Sequence, residues 1–165
     1  MSDPGRNTHD AADIDRQARR LLAQGTSGDE PLRRAGTVGH ALAVLAPDGR
    51  FHSWFVPVTV GDRLAAFFQF LADGTLMRFS SFPRRSGGFA DCPIAADWLD
   101  HIRIRAHTEP QRRIDETTGE PWLTYDRVPD RLVWSVPLTD AQGQVRQVYV
   151  VGKTVYVPPP GDTFD

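Results

Sequence analysis

Few side chains in this sequence stand where chemistry could begin, and the first is Cys92, the only cysteine. It follows Arg84-Arg85-Ser86-Gly87-Gly88 and precedes Pro93, which suits the first turn of a helix expected over roughly 94–104. A helix N-terminus favours a thiolate. His101 and His107 are near in sequence, but His101 is about 13 Å away by helical rise, too far for a Cys-His pair along that helix. His40, His52 or another element would have to supply the base, so the simpler expectation is a small hydrophobe or a cap. The Arg-Arg-Ser-Gly-Gly run also has the makings of an anion site, with guanidinium groups and free backbone N–H groups converging before a helix. It lacks the Gly-Lys-Ser/Thr of a phosphate-binding loop, and a solvated linker accounts for it equally well. A basic stretch, His101, Arg103, Arg105, His107, Arg112 and Arg113, contains only Glu109 as an acid. No aromatic platform accompanies it, and Asp115 and Glu116 follow at once. Cations at a solvated helix end are therefore expected rather than phosphate contacts.

Asp48, Asp73 and Asp130 fall in turns, where a carboxylate bonds its own backbone. No metal-ligand spacing, nucleophile elbow or cofactor motif is present, so no catalytic residue, metal or cofactor is assigned. Trp54, Trp98, Trp122 and Trp134 read as core and sheet-face residues, with Trp122, beside a proline at a strand start, the one expected to be exposed. The candidate binding residues are accordingly Arg84, Arg85, Phe89, Cys92 and Trp122.

Composition narrows the class. The chain has 165 residues, 40% apolar and 24% charged, with a formal net charge of −2. That balance suits a folded globular protein and gives no bulk attraction to nucleic acid or to an anionic membrane. Lys153 is the only lysine among 19 basic residues, a skew expected of a GC-rich bacterial genome. The N-terminus lacks the basic and apolar segments of a signal peptide, and the densest apolar run, residues 64–71, is too short to span a bilayer. With one cysteine, no intrachain disulfide forms, and a reduced, cytoplasmic location is expected.

The elements that must position these residues are short. Residues 1–10 read as disordered. A helix is expected over roughly 11–24, N-capped by Asp10 or Asp13, with Ile14, Ala18, Leu21 and Leu22 on one face. Residues 25–37 read as loop. Strands follow, separated by Pro47-Asp48-Gly49, Gly61-Asp62 and Asp73-Gly74. Trp54, Val56, Val58 and Val60 share one face, and Leu64, Ala66, Phe68 and Phe70 another; Phe55 and Phe67 point oppositely. Residues 83–93 read as a linker, 94–104 as a second helix burying Ile94, Trp98, Leu99 and Ile102, and 105–120 as a polar loop. Strands resume with Pro121-Trp122-Leu123 and end before a Pro-rich tail, 158–165.

Laying each residue over the one eighty positions later aligns Trp54-x-Val56-Pro57 with Trp134-x-Val136-Pro137, and also Ile14 with Ile94, Thr37 with Thr117, Gly39 with Gly119 and Thr59 with Thr139. Proline is confined to edges, bulges and strand starts, so two prolines in one register point to one geometry used twice. The expected fold is α+β: two similar halves, 11–82 and 94–157, each a short helix followed by an antiparallel β-meander, packed as a pseudo-symmetric unit. The second half, with its Trp-x-Val-Pro strand, Gly143 turn and Val-Tyr-Val-Val-Gly strand, resembles PepSY-like domains of the broader cystatin-like architecture. That resemblance implies a module associated with peptidases, as inhibitor or propeptide-like partner. The function expected is non-catalytic recognition of a protein or peptide through a sheet face or edge. The alternative is a small-molecule binder or enzyme with a cavity lined by Phe67, Phe68, Phe70 and Phe79 and with Arg84, Arg85 or Cys92 at its mouth.

Overall fold

The structure, a computed structural model, describes residues 9–85 and 88–158. Ser86 and Gly87 of the expected linker, most of the expected disordered N-terminus and nearly all of the Pro-rich tail lie outside the described residues. The fold is α+β, with strand pairings antiparallel throughout those resolved in register. The chain divides into two compact units. The first holds residues 9–44 and 51–95, the second 45–50 and 96–158.

In the first unit α1 (Ala11–Ala23) begins where Asp10 accepts a hydrogen bond from the Asp13 N–H at 2.9 Å, satisfying one donor that a helix start leaves open. It buries Ile14, Ala18 and Leu22. A second helix, α2 (Glu30–Ala35), occupies part of the stretch read as loop. Five strands follow: β1 (Thr37–Val38), β2 (Leu42–Leu45), β3 (Phe51–Val60), β4 (Arg63–Phe70) and β5 (Leu76–Ser81). Their order is β2-β3-β4-β5, with β1 also paired to β3. Val56, Val58, Ala66, Phe68 and Phe70 meet α1 and Leu32 in one apolar cluster. Phe68 and Phe70 are fully buried there, and Phe68 lies 4.8 Å from Phe79 between ring centroids. Phe68, Phe70 and Phe79 thus pack into the core on the face of the sheet that the helices cover.

The end of the segment read as a linker is hydrogen-bonded to this unit. The Leu64 N–H donates to the Pro93 carbonyl at 2.8 Å and the Ala95 N–H to the Asp62 carbonyl at 2.8 Å. Arg63 donates to the Cys92 carbonyl at 3.0 Å.

In the second unit the expected helix over 94–104 is broken into α3 (Ala95–Leu99) and α4 (His101–His107). Asp100 is extended at the break, and its carboxylate takes the Ile102 N–H at 2.9 Å, which starts α4 afresh. The interruption leaves the Trp98 carbonyl to accept the Trp134 indole N–H at 2.6 Å. Ile102, expected to be buried, is 70% exposed, and Ile104 is buried in its place. A 3-10 turn (Glu109–Gln111) leads to β6 (Thr117–Thr118), β7 (Trp122–Tyr125), β8 (Leu132–Thr139), β9 (Val145–Val151) and β10 (Thr154–Tyr156). The order is β10-β9-β8-β7, with β6 also paired to β8.

The ladder registers recur at the offset of the sequence repeat. Trp54 faces Phe70, Val56 faces Phe68 and Pro57 faces Phe67; Trp134 faces Val150, Val136 faces Val148 and Pro137 faces Gln147. Thr37 pairs with Thr59 and Thr117 with Thr139. The two prolines are accommodated alike. Each lacks an N–H, but its carbonyl accepts from a glycine, Gly39 to Pro57 and Gly119 to Pro137, both at 2.8 Å. A Cβ on either glycine would stand 2.9 Å or 2.8 Å from the proline Cγ, so a side chain there would force the ring or the backbone to shift.

Candidate functional site

Two of the residues singled out in sequence, Arg84 and Phe89, come together beside α2. The helix exists because Asp29 caps it, accepting the Leu32 N–H at 3.0 Å, and because Pro31 needs no donor in the first turn. Glu30 stands in that first turn and Arg33 and Arg34 in the last, the arrangement a helix dipole favours. Leu32 anchors the helix in the core at 2% exposure. The second oxygen of Asp29 receives the Arg84 guanidinium, whose side chain is 12% exposed. Arg84 then lies over the Phe89 ring, 4.3 Å from its centroid. One carboxylate thus ties the start of α2 to the loop after β5, and the guanidinium it holds fixes the aromatic ring beneath.

The result is an open depression of about 460 Å³ lined by Glu30, Pro31, Arg34, Ala35 and Phe89. Its apolar surface comes from Pro31, Ala35 and Phe89, the last half-buried against the core. At its rim Glu30 and Arg34 form an exposed i,i+4 ion pair at 2.5 Å. Such a pair contributes little to stability in water and can exchange partners at small cost. The site offers an apolar seat between opposite charges.

The other sequence candidates lie elsewhere or play other parts. Cys92 is 1% exposed in the core cluster, and burial pushes its thiol above the ordinary value. It supports the site from behind, its N–H donating to the Phe89 carbonyl at 3.1 Å. Thiolate activation by a helix N-terminus does not operate, since the five-residue α3 begins only at Ala95 and the thiol is kept neutral in apolar surroundings. The backbone N–H of Arg85 donates to Asp91 at 3.0 Å, and Arg85 itself is exposed. Trp122 belongs to the second unit, half-buried on β7 opposite Ser135.

The basic stretch after His101 is largely occupied. His101 and Arg105 meet Glu120 at 3.3 and 3.2 Å. Arg103 stands 2.9 Å from the buried Asp97, and Arg112 donates to Glu109 at 3.0 Å. Among the described residues no group of His, Cys, Asp and Glu is arranged to hold a metal ion, and no helix is long and apolar enough to cross a membrane.

What sequence reasoning missed is α2, and with it most of the depression. The signal was present as Asp29 followed by Glu30-Pro31, a cap and a first-turn proline. No family model, curated protein or solved structure matches the chain.

Proposed function

We propose that the chain is a non-catalytic module that recognises a protein or peptide, seating an apolar side chain in the depression between α2 and Phe89. The observation that carries this reading is the Asp29–Arg84–Phe89 stack, which holds the apolar floor in place before any partner arrives. A preformed seat spares the partner the ordering cost that weakens binding to flexible loops. Sheet-edge recognition joins it naturally. Among the described residues β5 has a strand neighbour on one side only, and its chain continues directly into the Arg84 loop. A partner strand added along β5 gains backbone hydrogen bonds, while the depression selects a side chain.

The same reading takes the two units as tandem copies of one helix-and-meander plan of the PepSY-like, cystatin-like kind. It is supported by the shared registers at Trp54 and Trp134 and by the two glycine–proline closures. An inhibitor-like or chaperone-like role would then use the first unit's loop as its contact.

Selection of displayed peptides on the immobilised protein tests the proposal. Enriched peptides should carry a large apolar residue beside charged ones. They should lose at least about tenfold in affinity, equivalent to about 1.4 kcal/mol, against Phe89→Ala and Arg84→Ala. Peptides that bind both variants as tightly as the unaltered protein would show that the depression is not the site.

A further inference from the structure

We infer that the depression receives the Arg113–Ile114–Asp115 turn of a second copy of this chain, so that copies associate head to tail. The inference rests on the reading of the depression as a binding site and names its occupant.

Ile114 is 100% exposed. It sits at the tip of a turn closed by the Glu116 N–H donating to the Arg113 carbonyl at 3.0 Å. Tight turns favour Gly, Pro, Asn, Asp and Ser, so a β-branched apolar residue there serves neither the turn nor the core. The turn is nevertheless firmly held. The Glu116 carboxylate, 4% exposed, accepts the Arg113 N–H at 2.7 Å and takes Arg146 through Nε at 2.7 Å and Nη2 at 2.9 Å. Arg112 donates to the Glu116 carbonyl at 2.9 Å, and Arg146 donates to the Gln111 carbonyl at 2.5 Å. A side chain that contributes nothing to its own fold is thus presented on a rigid support.

The charges match. On the turn, exposed Arg113 and Asp115 flank Ile114. On the depression, Glu30 and Arg34 flank the apolar seat of Pro31, Ala35 and Phe89. The two rim residues are one helical turn apart, about 6 Å by rise, comparable to the span across a tight turn. Arg113 therefore meets Glu30 while Asp115 meets Arg34, with Ile114 on Phe89. The turn and the depression are different parts of the chain, so the contact yields a closed ring, of two copies or more, or an open chain. A contact this small falls well short of the ~1,000 Å² of a stable interface, and association is expected on the order of 0.1–1 mM.

Sedimentation equilibrium over that range is the test. The weight-average mass of the unaltered protein should rise with concentration. Ile114→Asp, which removes the plug, and Ala35→Glu, which fills an exposed position in the seat, should each remain monomeric. Mixed together, they should form dimers and nothing larger, because one retains the seat and the other the plug. Arg113→Glu should weaken association, and Glu30→Arg added to it should restore it. A monomeric unaltered protein, an Ile114→Asp variant that associates normally, or a mixture that stays monomeric would each overturn the inference. Selected peptides that still bind Ile114→Asp in a protein that never self-associates would leave the module reading intact. Peptides indifferent to Phe89→Ala would remove that reading itself.

Discussion

On the face of β3 and β4 opposite the α1 core, Phe55 and Phe67 lie against each other with ring centroids 5.0 Å apart. Eighty residues later the same two ladder positions hold Ser135 and Gln147, joined by a hydrogen bond of 2.7 Å from the Ser135 hydroxyl to the Gln147 carbonyl oxygen. On the core face Phe68 and Phe70 in the first unit stand where Val148 and Val150 stand in the second. The helices differ in parallel, one of thirteen residues in the first unit and two short pieces divided at Asp100 after it. What the units share is backbone geometry: the Trp and Val registers and the glycine–proline closure. What differs is side-chain chemistry. A pleated sheet explains why, since register is fixed by a few close approaches while each face tolerates any set that fills it or satisfies its polar groups.

The largest test of that contrast lies in the cores. Phe68→Ala should cost about 3–5 kcal/mol, whereas Val148→Ala, which removes less buried surface, should cost about 2 kcal/mol. Equilibrium unfolding in urea measures both, and equal losses would deny that the first unit's core is the heavier one. The shared feature comes next. Gly39→Ala and Gly119→Ala each force a methyl group inside 3.0 Å of a proline ring, and overpacking of this kind costs about 1–3 kcal/mol. The two losses should agree closely, and a large difference would mean that the closures are alike in appearance only.

This division also explains what was legible in the sequence. The Trp-x-Val-Pro strands, α1 with a cap at Asp10 or Asp13, and the Gly-containing turns were readable because each depends on local chemistry or on a period of two or 3.6 residues. The break at Asp100 was not, because an Asp within an apolar helical pattern becomes a cap only where the Trp98 carbonyl has another donor, and that donor is on Trp134. The site was half legible. Arg84 and Phe89 stood out in their loop, but Pro31 and Ala35 join them through an ion pair between positions 55 residues apart, which no local pattern encodes. Ile114 lay within a stretch that reads as polar loop, and its exposure follows from the Glu116–Arg146 contact across 30 residues.

A smaller effect separates the two outer faces. Ser135 is fully buried, and removing its hydroxyl leaves the Gln147 carbonyl oxygen without that donor. Ser135→Ala should therefore cost about 1–2 kcal/mol, while Ser135→Ala with Gln147→Leu should recover most of it, since replacing both partners spares the desolvation of an unpaired one. At the matching position in the first unit no hydrogen bond is at stake, and the aromatic pair there responds to lost area instead. A double-mutant cycle showing no coupling between Ser135 and Gln147 would place the stabilisation of this face elsewhere.

The subtlest contrast is a dependence on pH carried by the second unit. Glu116 falls at the position of Gly36 in the first unit, and Arg146 at that of Ala66, so only one unit has this ion pair. Hydrogen bonds from Arg146 hold the Glu116 carboxyl well below its ordinary value of 4.5, at about 2, and the Arg113 N–H reinforces the shift. A carboxyl depressed in the folded state binds its proton more readily once unfolded. Its stabilisation is accordingly complete above pH 4.5 and is lost as pH falls from there through about 2. Glu116→Gln should flatten the fall in unfolding free energy across that window while leaving its slope at higher pH unchanged. The same substitution loosens the support of the Ile114 turn. A variant whose acid profile matches the unaltered protein would show that Arg146 does not discriminate between the charged and neutral forms of Glu116.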